Sequence, residues 1–187
     1  GGALGNTSSC GKCLMELYEW GWIKKIPRIA VINAEGANTL DVLYNGKFED
    51  TELRWNNGDF DTELIERYYT KMNDDGIRPK TKATAIQIGK PSNLVKGLRA
   101  LEYTNGIVIS VTDKEMLDGM SVVGLNGFDC EMASGAVPAG IKKLLNDNIM
   151  KKDDEIVGIL TGRQKEPLLP INYHNDPTNK FAKPPKR

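Results

Sequence analysis

The chain opens on a glycine-rich run that could bind an anion. The residues of this run are Gly1, Gly2, Ala3, Leu4, Gly5 and Asn6. Apolar residues follow at helical spacing, so the run is predicted to form the turn at the start of a helix. The N–H groups at a helix N-terminus face a ligand, and the positive end of the helix dipole lies behind them. Glycine allows the close approach of backbone to phosphate oxygens. A glycine turn that only caps a helix is the alternative.

The run matches neither of the common nucleotide-binding glycine patterns, G-x-x-x-x-G-K-[ST] and G-x-G-x-x-G. A second candidate for chemistry is the C-x-x-C formed by Cys10 and Cys13. Neither a second such pair nor a preceding strand accompanies it, and the third cysteine, Cys130, lies far away in sequence. We therefore expect buried helix cysteines that behave as small apolar residues. Metal binding or redox use is the less favoured interpretation, and no metal site is predicted.

The elements that must position the glycine run alternate between strand and helix. This order predicts an α/β fold with a mainly parallel sheet flanked by helices. Short β-branched runs predict strands at 29–32, 84–89, 107–111 and 156–160. Helices are predicted over 7–23 and 61–72 and from 91 onward. The capping-box spacing of Thr112 and Glu115 predicts the start of another helix, and a last helix is predicted to end at about 150. Residues 1–166 are expected to form one α/β unit and 167–187 an irregular tail.

Composition restricts the partners. The chain has 25 basic and 25 acidic residues in 187, so its formal net charge is zero. This balance gives no support for nucleic acid or an anionic membrane as the main partner. No apolar run approaches the roughly 20 residues of a membrane span, and the N-terminus lacks the layout of a secretory signal. We expect a cytoplasmic protein, with homo-oligomerisation possible.

Five segments in fixed order resemble the fold-type-II pyridoxal-phosphate (PLP) enzymes, and among them the threonine synthases. The first is the glycine run with Thr7 and Ser8. The others are RIAVINAEGA, ATAIQIG followed by proline, EMAS where the family has Glu-Pro-Ala-Ser or a near variant, and LTG; they begin at Arg28, Ala83, Glu131 and Leu160. Tyr173-His174 and Pro184-Pro185 in the tail are also similar to threonine-synthase C-termini.

The resemblance implies roles for particular residues. The glycine run would bind the cofactor phosphate, and the Thr161 hydroxyl would bond the pyridine nitrogen. Ala85 and Ile86 would lie beside the ring, and Glu131 and Ser134 would line the same cleft. Lys12 could help to bind a substrate phosphate, although a solvated position is favoured. The substrate would be a phosphorylated amino acid, O-phosphohomoserine, converted with water to L-threonine and phosphate.

The resemblance also implies that this sequence lacks the N-terminal part of the enzyme. The family's Schiff-base lysine lies well upstream of the phosphate loop, and no lysine here stands in a matching context. We therefore expect a C-terminal part of the enzyme that contains no catalytic residue of its own and needs its N-terminal segment. Alone it should be inactive and aggregation-prone, because buried parallel strands require neighbours. The alternatives are a threonine dehydratase, a cysteine synthase, or a non-catalytic phosphate-binding or interaction module.

Overall fold

A computed structural model describes residues 1–163. The predicted tail at 167–187 lies outside these residues. The described part has six α-helices and two strands. The elements are α1 (Gly5–Glu19), β1 (Ala30–Ala34), α2 (Thr39–Tyr44), α3 (Thr62–Asp74), α4 (Leu94–Tyr103), β2 (Ile107–Val111), α5 (Asp113–Leu125) and α6 (Met132–Asn146). The chain is therefore an α/β fold, as the alternating pattern predicts.

β1 and β2 pair in parallel, with Ala30 opposite Ile107 and Ala34 opposite Val111. Because side chains alternate along a strand, the two faces of this small sheet bury different sets of residues. Val31 and Val108 belong to an apolar cluster with leucines of α2, α3 and α4. Ile32 and Val111 belong to a second cluster with Met116 of α5 and residues of α6. Helices thus cover both faces, which is the expected arrangement for parallel strands.

The capping box at the start of α5 is confirmed. The Glu115 backbone N–H donates to the Thr112 hydroxyl (3.2 Å), and the Thr112 backbone N–H donates to the Glu115 carboxylate (2.7 Å). The bond that the Thr112 backbone N–H donates to the carboxylate is the largest cause that lowers the pKa of Glu115. β2 also has the predicted bounds of 107 and 111. Both features depend on signals within a few residues.

The strand predicted over 84–89 is wrong. Thr84–Ile86 forms a single 3₁₀ turn, in which the Ile86 N–H donates to the Ala83 carbonyl (2.9 Å). The Gln87 N–H likewise donates to the Thr84 carbonyl (3.2 Å). The backbone is therefore satisfied locally and does not pair with a strand. The β-branched pattern reflects the packing of Ile86, which is buried against the second cluster.

The strand predicted over 156–160 is also absent from the described structure. The segment is exposed, with Val157 89% and Ile159 56% accessible. It lies along α6, where a Cβ on Gly158 would contact the Val137 side chain at 2.9 Å. The described sheet contains only β1 and β2, so no strand edge is paired with this segment.

The predicted helix bounds shift where the backbone turns. α1 ends at Glu19 rather than at residue 23, because Gly21 takes a left-handed φ of 73° and the Trp22 N–H bonds back to the Leu17 carbonyl (2.9 Å). α4 begins at Leu94, and α6 ends at Asn146. The six-residue α2 was not predicted, since it is too short to show a helical period.

Candidate functional site

The glycine run forms a turn against the carboxyl-terminal half of β1. The amino group of Gly1 is buried and donates to the Ile32 carbonyl. The Gly1 carbonyl accepts a bond of 2.6 Å from the Asn33 side-chain amide. Ligands of open α/β sheets bind outside the carboxyl ends of the strands. The turn lies against the half of β1 that is nearer to this edge.

Leu4 precedes α1 in the left-handed conformation, with φ 64° and ψ 16°. For a leucine this conformation costs about 1–2 kcal/mol. The Leu4 side chain is only 3% exposed and packs in the first apolar cluster beside Gly97. Burial of a leucine contributes roughly 1.5–3 kcal/mol, which offsets the strain. The core therefore holds the turn in a conformation that favours an anion-binding concavity.

The N–H groups of Gly2 through Thr7 have no hydrogen-bond acceptor among residues 1–163. The first intrahelical bond of α1 runs from the Ser8 N–H to the Leu4 carbonyl (3.0 Å). The first turn of α1 contains no acidic residue that would repel an anion. A row of unpaired donors at the positive end of a helix dipole can bind a phosphate. The residues present therefore fit the phosphate group of PLP.

Gly2 brings the turn against the segment of Ala85 and Ile86. A Cβ on Gly2 would lie 2.9 Å from the Ile86 Cα and 3.2 Å from the Ala85 carbonyl oxygen. Ala85 is exposed, and Ile86 is 9% exposed. These two residues, predicted beside the cofactor ring, thus lie next to the glycine turn. A side chain at position 2 would therefore require the backbone of Ala85 and Ile86 to move.

Glu131, Ser134 and the Thr161-Gly162 pair form a second group of contacts at the start of α6. The Glu131 N–H donates to the Gly162 carbonyl (2.9 Å). The Ser134 hydroxyl, 1% exposed, donates to the same carbonyl and accepts from the Gly162 N–H, both at 3.3 Å. Ser134 therefore holds the backbone beside Thr161, whose own side chain is exposed.

One buried apolar cluster packs beside both groups. Ile86, which contacts the turn, belongs to the same buried cluster as Met132, the residue after Glu131. Met132 occupies the first position of α6, where proline is also favoured, so the departure from the family's Glu-Pro-Ala-Ser is compatible with the local geometry.

The other sequence candidates are Lys12 and the three cysteines. Lys12 is exposed and paired with Glu16 at 2.6 Å. Cys10 is half-buried and Cys13 exposed, so the prediction of burial is wrong for Cys13, because it faces outward on α1. Cys130 is buried, and burial raises its pKa. Over residues 1–163 there is no group of three His, Cys, Asp or Glu side chains that could hold a metal.

A surface depression of about 520 Å³ lies elsewhere, on the charged face of α3. It is lined by residues such as Glu63, Arg67 and Lys71 and is shallow, so we assign it no chemistry. No helix in the described range is long and apolar enough to cross a membrane.

Sequence reasoning missed two residues that contact the turn. Asn33 is a polar residue inside an otherwise apolar strand, and it is 2% exposed. Asn93, just before α4, donates from its backbone N–H (3.1 Å) and its side-chain amide (3.2 Å) to the Ala3 carbonyl. An asparagine within a buried strand was the available signal, because a buried amide requires partners.

Comparison with known proteins gives one consistent result. A threonine synthase of Methanocaldococcus jannaschii is 30% identical over 178 residues, which is 94% of this chain and 38% of that protein. One from Methanosarcina acetivorans is 39% identical over 102 residues, 54% of this chain and 25% of that protein. The chloroplastic threonine synthase 2 of Arabidopsis thaliana is 27% identical over 97% of this chain and 31% of that protein.

No family model matches the chain. The chain spans less than two fifths of the length of these curated relatives. The matches agree with the resemblance found in the five ordered segments. The chain is therefore related, over nearly its whole length, to one part of the threonine synthases.

Proposed function

We propose that the chain is the C-terminal part of a threonine synthase, which converts O-phosphohomoserine and water to L-threonine and phosphate with PLP. The observation that carries this proposal is the turn before α1, with its unpaired N–H groups, in a chain related to threonine synthases. The five ordered segments favour this proposal over a generic anion-binding turn. A cytoplasmic location remains part of the proposal; the name of one relative places that protein in the chloroplast.

The N–H groups of Gly2 through Asn6 would hold the cofactor phosphate. When bound there, PLP would stabilise negative charge on carbon atoms of the amino-acid substrate. Ala85 and Ile86 would lie along the ring. Thr161 would form a hydrogen bond to the ring nitrogen through a neutral hydroxyl. That nitrogen would then stay unprotonated, and the ring would withdraw electrons less strongly.

Glu131 and Ser134 would act through the backbone of Gly162. Their bonds fix the peptide next to Thr161 and so set where its hydroxyl can reach. The proposal assigns no proton transfer to this chain, because no lysine of it stands in the family's cofactor-binding context. The chain alone would therefore be inactive.

Phosphate release from O-phosphohomoserine tests the proposed activity, in the longer polypeptide that carries this chain. We expect phosphate and threonine in equal amounts. Formation of 2-oxobutyrate from threonine would instead assign a threonine dehydratase, and absence of a PLP absorbance band would favour a non-catalytic module.

Thr161 offers a sharper test of the site. In that polypeptide, Thr161→Val should shift the cofactor absorbance band and weaken PLP binding, while Thr161→Ser keeps the hydroxyl and should resemble the parent. Equal spectra and equal PLP affinity in both variants would remove Thr161 from the site.

A further inference from the structure

Two asparagines hold alternate carbonyl groups of the glycine turn. The Asn33 side-chain amide donates to the Gly1 carbonyl (2.6 Å). The Asn93 side-chain amide and backbone N–H both donate to the Ala3 carbonyl (3.2 and 3.1 Å). These residues lie 32 and 90 positions from their acceptors. The turn is thus fixed by β1 on one side and by the start of α4 on the other.

Because the peptide bond is planar, these bonds to the carbonyl groups also fix the orientation of the N–H groups that follow them. In a trans peptide, the C=O of one residue and the N–H of the next lie in one plane and point in opposite directions. Holding the Gly1 carbonyl therefore orients the Gly2 N–H, and holding the Ala3 carbonyl orients the Leu4 N–H. Both of these N–H groups are unpaired among the described residues.

Asn33 is itself held in place. Its side-chain oxygen accepts from the Asp41 backbone N–H (3.0 Å), and it is 2% exposed. Asp41 is fully buried, and its carboxylate accepts from Asn45 (2.6 Å) and Lys47 (2.7 Å). A buried amide with both ends bonded has little freedom to rotate, so its bond to Gly1 is preorganised.

We propose that Asn33 and Asn93 are positioning residues that preset the N–H groups of Gly2 and Leu4 for an anionic oxygen. The proposal rests on the proposed function, in which this turn binds a phosphate group. It assigns a part in ligand binding to two side chains that make no contact with the ligand themselves. Their effect is to remove the cost of ordering the turn when the anion binds.

The test is a titration of the 187-residue chain with inorganic phosphate, followed by the amide NMR shifts of Gly2 and Leu4. Asn93→Ala retains the backbone bond to Ala3 and so should fold. Asn33→Ala removes the bond to Gly1. The matched control is Asn45→Ala, which removes bonds to Asp41 and to the Val108 carbonyl (2.9 Å) in the same network without reaching the turn.

We expect phosphate affinity to fall about five- to tenfold in Asn33→Ala and in Asn93→Ala, as for the loss of one hydrogen bond. In Asn45→Ala the melting temperature should fall while the affinity stays within about twofold of the parent. The split between affinity and melting temperature separates positioning from general stabilisation. If Asn33→Ala does not fold, Asn93→Ala decides, and a chain that precipitates is replaced by the longer polypeptide with the same substitutions.

Unchanged affinity in Asn93→Ala, or an equal loss of affinity in Asn45→Ala, would overturn the inference. If the Gly2 and Leu4 amides do not respond to phosphate in the longer polypeptide as well as in this chain, the binding role of the turn is contradicted, and with it the proposed function. The two failures are therefore distinguishable.

Discussion

At the scale of single residues, the tightest requirement lies at the glycine turn. Gly2 is enclosed by the backbone of Ala85 and Ile86, whereas a Cβ on Gly5 at the start of α1 would make only an ordinary van der Waals contact. The nearest atom to a Cβ on Gly5 is the Asn93 side-chain nitrogen, at 3.8 Å. The two glycines of this run therefore differ in the space around them, and their substitution by alanine should have different effects on stability.

We predict that Gly2→Ala destabilises the chain by about 1–3 kcal/mol, because the added methyl meets backbone that must move. Gly5→Ala should leave the free energy of unfolding unchanged or raise it by up to about 1 kcal/mol, since alanine favours helix. Urea unfolding of both variants measures this difference. Equal stabilities would show that the turn moves freely away from Ile86.

Glu115 gives a prediction that depends on pH. Its pKa is below the ordinary value of 4.5, so its contribution to stability is complete above that value and is lost as the pH falls through the lower folded pKa. Glu115→Gln should therefore be less stable than the parent at pH 7, with a difference that shrinks on acidification. Thermal melts between pH 7 and pH 3 test this. A difference that is constant with pH would mean that the carboxylate charge is unimportant to the capping box.

At the scale of elements, α5 and α6 cross at a contact made by glycines. A Cβ on Gly119 of α5 would overlap the carbonyl oxygen of Gly135 on α6 and lie 3.0 Å from the Pro138 ring. A Cβ on Gly135 would in turn overlap the Met116 carbonyl. This close approach holds the backbones of α5 and α6 together, beside Ser134.

Gly119→Ala should destabilise the chain by about 1–3 kcal/mol, since the two helix backbones would have to separate. Gly124, in the same helix, is the matched control, because a Cβ added there would meet no atom within 4 Å. Gly124→Ala should raise the free energy of unfolding by about 0.5–1 kcal/mol through helix propensity. Denaturant titration of the pair decides, and a Gly119→Ala variant as stable as Gly124→Ala would contradict the packing described.

At the scale of the whole molecule, the described part leaves much apolar surface in contact with solvent. Trp20, Trp22, Leu125, Phe128 and Val157 are each more than 60% exposed. Apolar side chains on this scale promote association when they form patches. The relatives are more than twice as long as this chain, in keeping with the proposal that further polypeptide covers such surface.

We predict that Val157→Lys increases the solubility of the isolated 187-residue chain without lowering its melting temperature, because Val157 is 89% exposed. Val111→Lys is the control, since Val111 is 1% exposed in β2 and a buried charge there should unfold the chain. Light scattering and thermal melts measure both effects. A clear fall in melting temperature for Val157→Lys would show that the segment 156–160 is packed in solution.

The sequence alone determined the features that depend on near neighbours. The α/β class, the bounds of β2, the capping box at Thr112 and the position of the glycine turn before a helix all follow from periods and caps within a few residues. The ordered motifs also indicated the family, because they need only the order of residues along the chain.

Only the tertiary structure decided how distant segments meet. Asn33 and Asn93 contact the turn across 32 and 90 residues, and Ser134 contacts Gly162 across 28. The β-branched residues at 84–86 form a turn rather than a strand because Ile86 is buried by packing and its backbone is satisfied locally. Local sequence patterns do not identify such partners, because a hydrogen bond between residues distant in sequence forms only when the folded chain places them side by side.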